Sequence, residues 1–257
     1  MSIKGIIFDF GFTLFYFENP SVERYYECFQ KGLLKSIEFL KEKQVWNDKI
    51  SDDAFVQKFS KIREQYWRES RKTRKEFPTS LIYRELLESL QEENAVRKID
   101  HLEEETYEKL AEIYHSFEQE EWKPFPKTKE TLKKLSKYED IKLAVLSNHP
   151  CRTMVENALK EHKLFIYFDA VVTSAEFGKR KPDPEIFHYT LEKMGLTENN
   201  ECMVCGDEYA DIVGGDRAGM QTILCERRYK FPFERELDVP ELIRIDNISE
   251  ILDHLDS

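Results

Sequence analysis

The sequence predicts an α/β protein: a doubly wound parallel sheet carrying an inserted, all-helical subdomain. Three observations lead there. Short apolar runs, the pattern of strands buried on both faces, alternate with helix-period segments at the start of the chain and again in its second half. Between them, residues 17–122 show helical spacing alone. Nine glycines and nine prolines in 257 residues leave long stretches without a breaker; together they are about 7% of the chain, where ~12% is usual.

The elements follow in order. Gly5-Ile6-Ile7-Phe8 reads as a first strand. Asn19-Pro20 reads as a helix start, Asn capping and Pro in the first turn. Val22, Tyr26, Phe29, Leu33, Ile37 and Leu40 then mark one stripe of a long helix. Phe55, Phe59, Ile62 and Tyr66 give a second stripe, Ile82, Leu86 and Leu90 a third, and Leu102, Thr106, Leu110, Ile113 and Phe117 a fourth. Pro124-Phe125-Pro126 punctuates the end of this four-helix subdomain. Strands are then expected at 141–146, 169–173, 202–205, 221–225 and 242–245. The helices between them span about 152–163, Asp183-Pro184 to Gly195, and Asp211 to Ala218. Strand–helix alternation implies parallel strands with right-handed crossovers. The expected domains are a core of 1–16 plus 123–257 and an insert of 17–122.

Composition narrows the function. Fifty Asp and Glu against 39 Lys and Arg give a net charge of −11, which repels polyanions and argues against nucleic acid as a partner. No run approaches the ~18 apolar residues of a membrane span, so no membrane is expected. Met1-Ser2-Ile3-Lys4 does not open a secretory signal. Five cysteines, an odd number in a chain long enough to bury its own core, read as reduced and cytoplasmic. Cys202 and Cys205 form a CxxC, but one that lies in a strand, and no second pair completes a metal site.

In an open parallel sheet, ligands bind beyond the carboxyl ends of the strands. Asp9 follows the first expected strand, and Ser147 with Asn148 the second. Lys179, Arg180 and Lys181 follow the third, and Gly206-Asp207 the fourth, with Asp211 four residues on. Three carboxylates at one edge repel each other unless a cation joins them. An all-oxygen set suits Mg²⁺, which shares its coordination with water and substrate phosphate. Mg²⁺ and a lysine together clamp a phosphoryl group, beside which a carboxylate serves as nucleophile.

These residues fall in four segments. They are Ile6-Ile7-Phe8-Asp9-Phe10-Gly11-Phe12-Thr13-Leu14, Leu143-Ala144-Val145-Leu146-Ser147-Asn148, Lys181-Pro182-Asp183-Pro184-Glu185-Ile186-Phe187, and Gly206-Asp207-Glu208-Tyr209-Ala210-Asp211. In content and order they resemble the four motifs of the haloacid dehalogenase (HAD) superfamily, in its phosphatase-like branch with a helical cap of the first type. The resemblance covers the whole architecture, because the helical segment falls between motifs one and two. It implies that Asp9 is nucleophile and Mg²⁺ ligand, Asp207 a second ligand, and Asp211 a support to the metal, directly or through water. It implies that Ser147 donates to the phosphoryl oxygens, assisted by the Asn148 backbone, and that Lys181 neutralises nucleophile and phosphate. Lys179 and Arg180 are expected in solvent.

Gly11 departs from the pattern. Phosphatases of this family carry a second Asp there, as acid for the leaving group and base for water. The Gly11 carbonyl still offers a metal contact. A missing proton donor typically costs ~10²–10⁴ in rate, small beside the ~10²¹ acceleration known for phosphate monoester hydrolysis. Three routes stay open: an acidic leaving group, a proton from a cap residue or water, or use of the site for binding only.

The implied function is Mg²⁺-dependent hydrolysis of a small phosphorylated metabolite through an aspartyl-phosphate. One alternative is a catalytically weak or silent relative that binds a phosphate ligand or a protein. Another is carbon–halogen hydrolysis, whose branch also lacks the second Asp but needs no metal; Gly206-Asp207 argues against it. His149, two residues past Ser147, reads as incidental more than catalytic, and Phe15-Tyr16-Phe17 equally as pocket or core. Gly214, Gly215 and Gly219 read as helix packing and capping. Lys61 to Lys75, with seven basic residues against two Glu, reads as a solvated helix face.

Overall fold

A computed structural model describes residues 3–226 except 48, 98, 100 and 101, together with 237 and 242–255. Met1 and Ser2, which open the N-terminal segment considered above, lie outside the described residues. The chain forms two compact units, Met1–Glu18 with Trp122–Ser257, and Asn19–Glu121.

The strands are β1 (Gly5–Phe8), β2 (Phe15–Phe17), β3 (Trp122–Pro124), β4 (Lys142–Ser147), β5 (Ala170–Thr173), β6 (Cys202–Gly206), β7 (Gln221–Cys225) and β8 (Ile243–Ile245). The first unit also holds the helices α5 (Thr128–Leu135), α6 (Arg152–Glu161), α7 (Ser174–Phe177), α8 (Pro184–Met194) and α9 (Tyr209–Arg217). Among the described residues six strands make one sheet in the order β5-β4-β1-β6-β7-β8, and every pairing in it is parallel.

The strand order reverses at β1. The chain runs outward from β1 to β4 and β5, then crosses back to β6 on the other flank. The carboxyl ends of β4, β1 and β6 therefore stand side by side, at the kind of switch point where such sheets bind ligands. All four residues of β1 and all five of β6 are buried, as continuous apolar strands require. Helix α8 starts as expected: Asp183 caps it by accepting the Glu185 N–H, Pro184 follows, and Gly195 closes it at φ +73°. A Cβ on Gly214 would meet the Phe187 ring, and one on Gly215 would meet Val204, so these glycines let α9 lie close against α8 and the sheet.

Sequence periodicity did not reveal β2 and β3. They pair antiparallel with each other, Phe15 opposite Pro124 and Phe17 opposite Trp122. Phe15 and Phe17 are buried as core, while Tyr16 between them is half-buried.

Among its described residues the second unit has four helices: α1 (Val22–Glu42), α2 (Asp52–Thr73), α3 (Thr79–Glu92) and α4 (Glu104–Glu121). Leu33, Ile37, Leu40, Phe55, Phe59, Tyr83, Leu86, Leu90 and Leu110 share its core. Ser21, not Asn19, caps α1, its Oγ accepting the Arg24 N–H at 3.0 Å. The α1 stripe is buried only from Leu33 on; Tyr26 remains 60% exposed. The basic segment of α2 lies largely on its outer face, where Arg68 pairs with Glu64 and Arg71 covers the exposed Trp67 ring. No helix among the described residues is long and apolar enough to cross a membrane.

Candidate active site

Asp9 is the first residue past β1, its N–H bonded to the Cys205 carbonyl at 2.9 Å. The strand ends and the chain turns at once. Leu14 and Phe15 both donate backbone N–H groups to the Phe10 carbonyl, and Phe12 sits at φ +61° at the turn. The turn delivers Thr13, whose buried hydroxyl donates to Asp207 Oδ1 at 3.3 Å.

Lys181 is the organising cation. Its ammonium donates to Asp9 Oδ1 at 2.5 Å, to Asp211 Oδ1 at 2.5 Å and to the Leu146 carbonyl at 2.9 Å, so all three N–H bonds are used. Burial alone would depress its pKa, but Asp211 and Asp9 outweigh burial and hold it above the ordinary lysine value. Asp211 lies in the first turn of α9, and its Oδ2 accepts the Glu208 N–H. Burial, opposed by Lys181 and aided by the Asp9 charge, pushes the Asp211 carboxyl up to about 7.

The carboxylates of Asp9, Asp207 and Asp211 present oxygens within 4.8 Å of one another. One ammonium among three carboxylates leaves a charge of −2 when all are ionised, and the donors are hard oxygens. Those residues fit a small divalent cation such as Mg²⁺.

The structure thus brings Asp9, Lys181, Asp207 and Asp211 together, with Ser147 buried at the end of β4. Asn148 follows, but its side chain has a use that the sequence did not disclose: its carboxamide bonds both backbone groups of Lys181. Lys179, expected in solvent with Arg180, is half-buried, as Arg180 is, and pairs with Glu185 and Asp183. His149 is buried, its Nδ1 accepting the Cys151 N–H at 3.0 Å.

Gly11 faces an obstacle. A Cβ built there would lie 2.9 Å from Cη2 of Trp122, a ring only 6% exposed. Thr13 and Trp122 escaped sequence reasoning, since one lies 194 residues from its partner and the other enters from β3.

The model of the family described as haloacid dehalogenase-like hydrolase matches residues 51–225. The chain belongs to that family. It is 39% identical over 102 residues to phosphoglycolate phosphatase of Aquifex aeolicus, covering 40% of this chain and 46% of that one. It is 33% identical over 144 residues to glyceraldehyde 3-phosphate phosphatase of Methanothermobacter thermautotrophicus, covering 54% and 63%. The chain spans about half the length of the curated relatives it matches. Among solved structures, 2-haloacid dehalogenase from Pseudomonas syringae pv. tomato aligns at TM-score 0.63 and 20% identity, covering 99% of this chain and 98% of that one. The HAD-hydrolase YfnB from Bacillus subtilis, described as bound to magnesium, aligns at TM-score 0.58 and 19% identity over the full length of both. At such identity, structural likeness speaks to the fold, which these two share with this member of the haloacid dehalogenase-like hydrolases.

Proposed function

We propose that this hydrolase is a Mg²⁺-dependent phosphatase that acts on a small phosphorylated metabolite through an aspartyl-phosphate on Asp9. The observation that carries the reading is the placement of the Lys181 ammonium between Asp9 and Asp211, with Asp207 in the same cluster. A three-carboxylate cluster with one cation is suited to a cation-assisted reaction on an anion, and it would be costly to bury for any purpose that left it uncompensated.

In this reading Asp9 attacks phosphorus. Lys181 holds the attacking carboxylate in place and offsets charge on the phosphoryl oxygens, to which the Ser147 hydroxyl donates with help from the Asn148 backbone. Asp9, Asp207, Asp211 and the Gly11 carbonyl would hold Mg²⁺, which supplies Lewis-acid stabilisation of the phosphoryl charge. The phosphatase names of two relatives support a phosphorylated substrate. Five free, buried cysteines fit a cytoplasmic setting.

Phosphate release from a panel of esters and acyl phosphates, with Mg²⁺ and with EDTA, tests the reading. Release that needs Mg²⁺ and disappears in Asp9→Asn is expected. Metal-independent halide release from 2-haloacids would place the chain in the dehalogenase reading instead, which the bare Gly11 favours. Silence towards every compound would leave a binding protein.

A further inference from the structure

The residue two positions past Asp9 has no side chain, and the space for one is filled. A Cβ on Gly11 would lie 2.9 Å from Cη2 and 3.3 Å from Cζ3 of Trp122. That ring has little freedom to yield. It is buried, and it packs edge-on against Phe10 at 5.5 Å, Phe12 at 5.3 Å and Phe17 at 5.1 Å between centroids. Gly11 and Trp122 therefore form one wall of the loop that follows Asp9, a wall without a titratable group.

The groups clustered with Asp9 have their polar atoms engaged already: Asp211 accepts from Lys181 through Oδ1 and from the Glu208 N–H through Oδ2. All three Lys181 N–H bonds are engaged, by Asp9, Asp211 and the Leu146 carbonyl. Asp207 accepts from Thr13 and faces the other two carboxylates.

We propose that the Gly11–Trp122 wall restricts this site to phosphoryl compounds whose leaving group departs unprotonated: acyl phosphates and phosphoanhydrides, not alkyl phosphomonoesters. This rests on the phosphatase reading and names its substrate class. In the first step an Asp9 oxygen bonds to phosphorus while the bond to the leaving oxygen breaks. The electron pair stays on that oxygen as carboxylate or phosphate, and no proton moves. In the second step water bonds to phosphorus, the Asp9 carboxylate leaves with its pair, and both of the water's protons depart on the product as dihydrogen phosphate. A carboxylate is a stable anion, its acid having a pKa of ~4, and a phosphate monoanion loses its next proton near ~6. An alkoxide resembles hydroxide, the anion of a far weaker acid than either of these, and does not leave without an acid.

The test is kcat/KM at saturating Mg²⁺ for acetyl phosphate, p-nitrophenyl phosphate, phenyl phosphate and benzyl phosphate. A steep fall along that series is expected, with acetyl phosphate ahead of benzyl phosphate by at least ~10²-fold, the lower range for a missing general acid. Gly11→Asp alone should gain nothing on benzyl phosphate. Gly11→Asp combined with Trp122→Ala should raise the benzyl-to-acetyl ratio at least ~10-fold over Trp122→Ala alone. Should the double variant not fold, the wild-type series decides by itself. Comparable rates for benzyl and acetyl phosphate would overturn the proposal; if the equality vanished in His149→Gln, the overturned proposal would yield His149 as the donor. No phosphate from any of the four compounds would be a different failure, that of the phosphatase reading, and would take this proposal with it.

Discussion

The Asn148 carboxamide grips the backbone of Lys181 on both sides: Nδ2 donates to the Lys181 carbonyl at 3.1 Å, and Oδ1 accepts the Lys181 N–H at 2.8 Å. Two bonds from one planar group fix both position and tilt of the backbone they hold. The lysine that reaches Asp9 is thereby anchored to the end of β4, next to the Leu146 carbonyl its ammonium also uses. Asn148→Ala should leave the fold intact and lower kcat, by up to ~10²-fold, the cost of an ångström of misplacement. KM should change less. Asn148→Asp keeps the acceptor, loses the donor and should fall between. Kinetics alongside circular dichroism check this; a wild-type kcat in Asn148→Ala would remove the positioning role.

Thr13 and Asp207 join the first and fourth motif loops through one buried hydroxyl. That bond fixes the orientation of a carboxylate expected to meet Mg²⁺, and loss of such an outer contact typically weakens a metal ~10–100-fold. Thr13→Val should raise the Mg²⁺ concentration for half-maximal activity by about that factor, and Thr13→Ser should restore it. Calorimetric Mg²⁺ titration of the same proteins gives a readout free of turnover. Equal affinity in Thr13→Val and wild type would show the hydroxyl to be a packing detail.

The site was legible in the sequence wherever a motif marked a strand end, and illegible wherever two chain segments met. Asp9, Ser147, Asp207 and Lys181 could be placed because buried strands advertise themselves as apolar runs and parallel topology sends their ends to one edge. The Asn148 grip and the Thr13 bond span 33 and 194 residues, and no local pattern encodes them. Trp122 is one residue of a three-residue strand whose partner, β2, lies over a hundred residues earlier, too short and too distant for periodicity to register. In the helical unit, spacing found the stripes but not their limits. Val22 and Tyr26 continue the α1 pattern yet stay exposed, because periodicity describes a helix face and not what covers it. Asn19-Pro20 was a plausible start, but Ser21 takes the cap because its hydroxyl reaches the N–H three residues on.

Cys202 and Cys205 lie in β6 and Cys225 in β7, all buried. Burial pushes the Cys202 thiol up to about 11 and Cys225 up to about 12, and drives Cys205 well above its ordinary value. Thiolate, not thiol, reacts, so at pH 8 these three should resist a thiol reagent in the folded protein. After denaturation they should react at the ordinary rate. Counting thiols labelled before and after guanidinium decides it; fast labelling of Cys202 or Cys205 in the native state would reopen a redox role for the CxxC.

Gly32 on α1 separates two rules that predict opposite signs. Glycine inside a helix costs ~0.5–1 kcal/mol relative to alanine, so propensity alone says Gly32→Ala stabilises. But a Cβ at Gly32 would run into the backbone carbonyl of Tyr114 on α4, and a backbone cannot rotate away as a side chain can. To admit the methyl, α1 and α4 must part within a core that includes Leu33, Leu110 and Tyr114. Overpacking of that kind costs ~1–3 kcal/mol, which outweighs the propensity gain. The net effect should be destabilising by about 1–2 kcal/mol, a drop of several degrees at ~2–4 °C per kcal/mol in a chain of this size. Gly32→Val should lose more. Thermal unfolding by circular dichroism gives the sign directly, and a raised Tm in Gly32→Ala would mean that α1 and α4 are held less closely than Gly32 and Tyr114 indicate.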